Sequence, residues 1–349
     1  MRSIHEILNK QYYNKSSWIL ILLPLSFIYL LLISLRSWAY KIGIFKSIKM
    51  DVPVVVIGNI TIGGTGKTPL VIWLVEKLIK IGMKPGLICS GYNSNAKSPQ
   101  EVLIDSRVSN VGDEALMTKL RFKNINIDLP IFVGKRKAHV GMALINSYPD
   151  INILISDDGL QHNELNGDFE IVVVDADRVF GNGYLIPAGP LRENISRIKE
   201  VDALVLNGHT KTKKKWFYEK YNIDFYTKYV GYHHMECYGN LLVNCHNRNR
   251  VYDPDKLKKE IVAITGIGNP ERFFEQLSSS GLKFKKVIFN DHHLFTEIDF
   301  KDYDDMDIIM TEKDSVKCKS FAKENFWYLP MHANVDKKLF QELIKKLRI

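Results

Sequence analysis

"GNITIGGTGKTPL", Gly58–Leu70, follows directly on the apolar run Val52–Ile57, and its reading decides the fold. An apolar strand, a glycine-rich turn and a helix in that order make a phosphate-binding loop. Gly63, Gly64 and Gly66 let the backbone curl so that its N–H groups face a common point. The helix starting near Thr68 aims its positive end at that point. Pro69 suits the first helical turn, where its missing N–H is not needed. Lys67 reaches the β- and γ-phosphates and Thr68 the magnesium ion. Thr61, Ile62, Gly63, Gly64, Thr65, Gly66, Lys67 and Thr68 are therefore the candidate nucleotide site, with ATP and Mg2+ as its ligands. One position departs from the pattern, since Thr61 stands where the first glycine belongs. That glycine supports chain direction more than charge contact, so threonine is a tolerable variation.

Outward from the loop, short apolar runs alternate with amphipathic ones. Strands are predicted at Val52–Ile57, Gly86–Cys89, Ile131–Val133, Ile151–Ile155, Ile171–Val174 and Ala203–Leu206, and helices at Thr68–Ile81, Asp113–Lys119 and Lys135–Ser147. Unbroken β-branched runs alternating with helices predict an α/β fold, a P-loop NTPase-like, mostly parallel sheet covered on both faces. Ligands of such sheets bind at the carboxyl ends of strands. "INILISDDGLQH" supplies carboxylates at such an end: Asp157 is the first choice for the magnesium link, with Asp158 beside it, and Gln161 and His162 follow into the same cleft. Paired acids in a surface turn are the bland alternative.

Before the loop, Ser17–Leu35 is the most apolar stretch and carries no charge from Trp18 to Leu35. Roughly 20 such residues span a bilayer. Pro24 interrupts it, Lys15 and Arg36 flank it, and no small-residue cleavage site follows. The expectation is an uncleaved anchor, spanning or half-inserted, rather than a buried core helix. A nucleotide site requires the following domain to be cytosolic. The net charge of +9 over 349 residues fits an anionic partner such as a membrane surface. No basic, aromatic-interleaved motif for nucleic acid exists beyond Lys211–Phe217, so no nucleic acid is expected, and no obligate protein partner is inferred. Cys89, Cys237, Cys245 and Cys318 are scattered, as in a reducing compartment; with His233, His234 and His246 they fit no common zinc template.

The chain changes character after Asn207, and four segments are expected: an anchor over 1–40, a P-loop domain over 41–222, a two-stranded β connector over 223–255 and a smaller α/β domain over 256–349. Tyr226–Val230 and Tyr238–Val243 read as the connector strands. Ile261–Ile264, the helix Pro270–Ser280, Lys286–Phe289, Ile308–Met310 and Phe326–Leu329 build the smaller layer, which the helix Lys337–Leu347 closes. The Lys211–Lys215 run with Trp216 and Phe217 lies near anionic lipid or is a solvated loop. "TGIGNP" lacks the third glycine of a dinucleotide loop, and "TEKD" lacks the spacer residue of a guanine-reading segment.

Taken together, "GNITIGGTGKTP", "VGDEA" (Val111–Ala115), "SDDGLQH" (Ser156–His162), "GYLIPAGPLRE" (Gly183–Glu193), "TGIGNPERFF" (Thr265–Phe274), "DHHLF" (Asp291–Phe295) and "TEKDSVKC" (Thr311–Cys318) resemble the tetraacyldisaccharide 4'-kinases, which phosphorylate the lipid A precursor. The resemblance covers most of the chain after the anchor, and the family also has an amino-terminal membrane segment. It implies that Asp113 is the catalytic base, paired with His292, with His293 the neighbouring alternative. It further implies that Arg192 contacts phosphate, that Glu193 shares its active-site loop, and that Arg136 is a second arginine of the site. Asp113 alone also reads as a helix N-terminal acid, and Arg136 as part of a solvated face. "CSGYN" (Cys89–Asn93) lacks an arginine that the family carries there. If His292 works with Asp113, the cleft lies between the two domains. The expected activity is transfer of the γ-phosphoryl group of ATP to the 4'-hydroxyl of an acylated disaccharide 1-phosphate; the rival is a membrane-associated P-loop ATPase switch.

Overall fold

The computed structural model describes residues 12–13, 17–91, 99–208, 230–248, 250–252 and 260–349. By their contacts these fall into two units: Met1–Ile88 with Arg136–Glu236 and Asn334–Ile349, and Cys89–Lys135 with Cys237–Ala333. The boundaries expected at 222 and 255 do not anticipate the exchange of Cys89–Lys135 into the second unit or of the last helix into the first.

In the first unit, six parallel strands run side by side in the order Gly231–Tyr238, Ala203–Asn207, Phe169–Asp175, Val54–Gly58, Ile153–Asp157 and Pro85–Cys89. Their residues are unbroken runs of Val, Ile and Leu because both faces are covered: Val54, Val55, Ile57, Ile153, Leu154, Ile155, Ile171, Val172, Leu204 and Val205 are fully buried. Each such aliphatic side chain contributes about 1.5–3 kcal/mol. Four neighbouring strands end on the same edge in Gly58, Asp157, Asp175 and Asn207, which sets out a polar rim at their carboxyl ends. The helix Lys67–Lys80 buries Leu70, Val71, Leu74, Val75 and Leu78, and Lys77 and Lys80 complement the dipole of its last turn.

The helix Lys337–Leu347 belongs to this unit and does not close the smaller one. It buries Leu339 and Leu343, sets Phe340 edge-on to Trp73, and its Glu342 pairs with His233 at 2.9 Å. Its amphipathic pattern marked one buried face but not which sheet receives it.

The apolar segment is a 3-10 turn, Ser17–Leu22, running into the helix Leu23–Lys41. Pro24 does not interrupt the helix; it sits in the first turn, where no N–H is required. Leu25, Phe27, Ile28, Leu31, Leu32, Leu35 and Trp38 are each more than half exposed. A core helix would show the reverse. At ~1.5 Å per residue its 19 residues cover ~28 Å, about the hydrocarbon thickness of a bilayer. Its polar groups hold one loop: Ser26 Oγ donates to the Leu185 carbonyl at 2.8 Å and accepts from Ala188 N at 3.0 Å, and Tyr29 Oη donates to the Arg192 carbonyl at 2.9 Å.

In the second unit, Lys285–Ile288, Ile261–Thr265, Asp307–Thr311 and Phe326–Leu329 are parallel neighbours in that order. Leu242–Asn244 then adds antiparallel to Phe326–Leu329, and Val251–Tyr252 antiparallel to Leu242–Asn244. Phe300, Phe326, Val262, Ile264, Ile308 and Met310 fill one face of the sheet, and Phe273, Phe274, Leu277, Ile309 and Trp327 the other. The second expected connector strand, Tyr238–Val243, is not one strand. Tyr238 ends the strand Gly231–Tyr238, whereas Leu242–Asn244 joins the smaller sheet. Tyr226–Tyr229, Lys211–Phe217 and Asn93 lie outside the described residues. The helix Asp113–Asn124 also belongs to this unit, where Arg121 pairs with the buried Glu312 at 2.8 Å.

Candidate active site

The rim of the first unit carries the glycine loop. Gly63 and Gly66 have φ of +90° and +93°, which only glycine adopts freely, and a Cβ on Gly66 would collide with the Asn207 amide. Asn207 Nδ2 donates to the Thr65 carbonyl at 2.8 Å, and Asn59 Nδ2 to the Gly63 carbonyl at 3.2 Å. Arg178 donates to the Gly64 carbonyl. Three successive loop carbonyls, those of Gly63, Gly64 and Thr65, are thus held by side chains of the rim. The buried Thr65 hydroxyl has no hydrogen-bond partner among the described residues, and nothing crowds Gly64. Such a cradle fits a phosphate chain.

Thr61 also finds its explanation. It is buried and bridges to Leu191 in extended conformation, while Ile62 N donates to the Pro190 carbonyl at 2.8 Å and Arg192 N to the Ile60 carbonyl at 2.7 Å. The start of the loop is thus stitched to the Gly183–Glu193 segment through an isolated antiparallel bridge, a position that needs no glycine.

Cations and carboxylates meet at Asp158. Its carboxylate lies 3.3 Å from Lys67 Nζ and 3.0 Å from Arg192 Nη1. Burial would raise this carboxyl, but Lys67 and Arg192 hold it far below the ordinary carboxylate range. Its backbone stands at φ +54°, a strained conformation for a residue with a side chain. Lys67 also donates to Asn59 Oδ1 at 3.1 Å. Gln161 ties the loops together: its Nε2 donates to the Asn59 carbonyl at 3.1 Å and to Glu193 Oε1 at 2.6 Å, and its Oε1 accepts from Arg192 at 3.3 Å. Burial raises the Glu193 carboxyl despite that amide. His162 is pushed down to about 4 by burial and by the nearby Lys137 charge, so it is neutral at neutral pH.

A magnesium ion fits Thr68 and Asp157 better than Asp158. The Asp158 carboxylate is already shared by two cations, whereas Asp157 brings a buried carboxylate to the end of its strand. Among the described residues no group of three or more His, Cys, Asp or Glu side chains converges on a metal. Hydroxyl plus carboxylate is the open, hard-oxygen donor set that phosphate oxygens and water complete around Mg2+.

Arg136, the N-cap of the helix Lys137–Ser147, turns its side chain to solvent. Its side chain is 64% exposed and, among the described residues, pairs with Glu164 at 3.3 Å. Its neighbour Lys137 is fully buried and donates to the Asp157 carbonyl at 2.6 Å and to the Ile88 carbonyl at 3.3 Å. Sequence reasoning named Arg136 and passed over its buried neighbour. It missed Arg178, Asn59 and Asn207 as well; an asparagine ending a predicted strand beside the glycine loop was the available signal.

In the second unit, Asp113 opens the helix Asp113–Asn124 and is 4% exposed. Its Oδ2 lies 3.0 Å from His292 Nδ1, and its Oδ1 accepts from Glu114 N at 2.9 Å. Lys313 Nζ stands 3.8 Å from Oδ1 and Lys317 Nζ 3.7 Å from Oδ2. Burial would raise the Asp113 carboxyl, but the His292 hydrogen bond and the two ammonium groups hold it below its ordinary value. His292 sits at φ +61°, again strained. His293 turns away and meets Asp299 at 3.2 Å. Of the two histidines, His292 is therefore the partner of Asp113. Cys245, whose thiol burial pushes up to about 12, packs in the apolar core.

The sequence profile of the family described as tetraacyldisaccharide-1-P 4'-kinase (LpxK) matches residues 18–348. The tetraacyldisaccharide 4'-kinase of Methylobacillus flagellatus is 41% identical over 346 residues, 99% of this chain and 97% of that one. That of Shewanella sediminis is 40% identical over 331 residues, 94% and 91% of the two chains. Among solved structures, an "apo" form of LpxK from Aquifex aeolicus in complex with ATP is similar at a TM-score of 0.76 and 26% identity, over 95% of this chain and 99% of that one.

Proposed function

The chain belongs to the tetraacyldisaccharide-1-P 4'-kinase family, and from that premise we propose how its residues divide the work of one reaction. The reaction is transfer of the γ-phosphoryl group of ATP to the 4'-hydroxyl of a tetraacyl glucosamine disaccharide 1-phosphate, a step of lipid A biosynthesis. The amides of Gly63–Thr68 cradle the phosphates, and Lys67 offsets charge on the β- and γ-groups. Arg192 presents its guanidinium to the transferring group, with Asp158 fixing its direction and that of Lys67. Thr68 and Asp157 are the residues that would hold magnesium, which would supply positive charge against the phosphate oxygens. Glu193 and Gln161 hold the loop that carries Arg192, and His162 stays neutral beside it.

Asp113 accepts the proton of the sugar hydroxyl. A carboxylate held below its ordinary value is a weak resting base, so its use depends on passing charge onward. His292, at 3.0 Å, takes up that charge as the proton arrives. The family match carries the kinase reading over the ATPase-switch reading, because such a pair would activate water as readily as an alcohol. Leu23–Lys41 anchors the enzyme in the inner membrane with its catalytic residues on the cytoplasmic face, where an acylated acceptor resides. The basic balance of the chain suits that anionic lipid.

The test supplies purified protein with labelled ATP and the disaccharide monophosphate and looks for bisphosphate. Conversion that Asp113→Asn abolishes while ATP still binds is the expected result. ATP-dependent dimerisation and hydrolysis without any lipid acceptor would instead establish a switch.

A further inference from the structure

Two segments without an assigned role, "TGIGNP" and "TEKDSVKC", meet at one carboxylate. Asp314, fully buried on the short helix Glu312–Ser315, accepts at Oδ2 from Thr265 Oγ1 at 2.9 Å, Thr311 Oγ1 at 2.7 Å and Gly266 N at 3.1 Å. Its Oδ1 receives the Lys317 ammonium at 2.9 Å. Both links continue to the Asp113–His292 pair. The Gly266 carbonyl accepts from His292 N at 3.0 Å and so holds the strained His292 backbone. Lys317, whose side chain is 2% exposed, reaches within 3.7 Å of Asp113 Oδ2, the oxygen that faces His292. A buried ammonium cannot draw on water, so its position is set by the carboxylates around it.

We propose that Asp314 and Lys317 are positioning residues for phosphoryl transfer: one buried carboxylate orients Asp113 through the Lys317 ammonium and His292 through the Gly266 peptide. This rests on Asp113 being the proton acceptor. The arrangement explains how a left-handed histidine and a helix-terminal aspartate, 179 positions apart, hold a fixed 3.0 Å approach. It also sets the charge balance. Asp113 faces His292, Lys313 and Lys317; Glu114 draws Lys313 aside at 3.1 Å, Asp314 draws Lys317, and Asp291 lies 3.9 Å from His292 Nε2. Each lysine is thus shared, and Asp113 is not locked in a full ion pair with either. The bland alternative is a staple joining Ile261–Thr265 to Asp307–Thr311.

The experiment uses the full chain in detergent with labelled ATP and the disaccharide monophosphate. Lys317→Gln, Lys317→Arg and Asp314→Asn are made alone and on Asp113→Asn, and kcat, KM and melting temperature are followed against pH. Lys317→Gln and Asp314→Asn are expected to lower kcat at least about tenfold with KM for ATP within about twofold. Loss of the cation beside Asp113 should move the acid limb of kcat up by about one pH unit in Lys317→Gln, and Lys317→Arg should restore it. Neither change should deepen the defect of Asp113→Asn. Wild-type kcat and acid limb in folded Lys317→Gln, or losses that multiply with that of Asp113→Asn, would leave only a staple. Should Asp314→Asn not fold, Lys317→Gln decides alone. Full activity of Asp113→Asn would be a different failure, that of the base assignment itself.

Discussion

His292 Nδ1 stands 3.0 Å from Asp113 Oδ2, on a carboxylate that is 4% exposed. A pair this close acts as a unit. Asp113→Asn is expected to lower kcat by about 10²–10⁴ while ATP binding, read by calorimetry, stays near wild type. His292→Ala added to Asp113→Asn should cost nothing further. Losses that multiply would mean that the two groups act in separate steps.

Asp158 shares its carboxylate between Lys67 and Arg192 at 3.3 and 3.0 Å. Arg192→Ala should then do two things: remove a transition-state charge, worth about 10³–10⁵ in rate in related transferases, and leave Lys67 paired to Asp158 alone. Arg192→Lys keeps the charge but loses the planar fork, and should recover only part of the rate. Single-turnover phosphoryl transfer with ATP saturating separates this from weak binding; an unchanged rate constant would clear Arg192 of any part in the chemistry.

The glycine loop, the alternating sheet and the long apolar helix were legible because each rests on local pattern: glycines between strand and helix, unbroken apolar runs, a charge-free stretch. The pairing of Asp113 with His292 was legible only by resemblance, since no local pattern links residues 179 positions apart. What stayed hidden depends on tertiary placement. Arg136 and Lys137 are adjacent cations, and only the turn of the helix Lys137–Ser147 decides that Lys137 points inward. Lys337–Leu347 shows an apolar face that fits either sheet. Asn207 and Arg178 act by holding carbonyls, a task that many residue types perform and no motif marks.

The exchange of Arg136 for Lys137 is directly testable. Arg136 forms one exposed pair with Glu164, so Arg136→Ala should change stability by less than about 1 kcal/mol and leave kcat near wild type. Lys137→Met removes the donor that two buried carbonyls use and should cost about 1–3 kcal/mol for each. It should also disturb Asp157, seen as weaker activation when magnesium is titrated. Equal behaviour of the two variants would restore Arg136 to the site.

Gly64 and Gly66 separate shape from ligand. Gly66→Ala meets both a φ of +93° and the Asn207 amide, and should destabilise the protein by more than about 1 kcal/mol. Gly64→Ala meets nothing within 4 Å, so stability should stay within about 0.5 kcal/mol. If the open side of the loop receives phosphate, that methyl group obstructs the nucleotide, and ATP affinity falls although melting temperature does not. Unaltered ATP affinity in Gly64→Ala would put the phosphates elsewhere.

The pH dependence follows from two carboxyls shifted in opposite directions. Asp113 lies below its ordinary value of 3.8, so the stability it contributes is fully present above that pH and is lost as pH falls through the lower folded value. Glu193 is raised above 4.5 by burial, so the folded state holds its proton more readily than the unfolded chain. That advantage is present below pH 4.5 and is given up as pH rises through the folded value. Glu193→Gln cannot ionise, so from pH 4.5 toward neutrality it should lose less stability than the wild type, and Asp113→Asn should lack the wild type's decline below 3.8. Urea midpoints measured from pH 3 to 8 check both slopes. Activity follows a different rule: His162, held at about 4, is already neutral near pH 6.5, so a limb there must survive in His162→Gln. A limb that vanishes in that variant would mean that His162 titrates in the working enzyme and takes part in the proton's path.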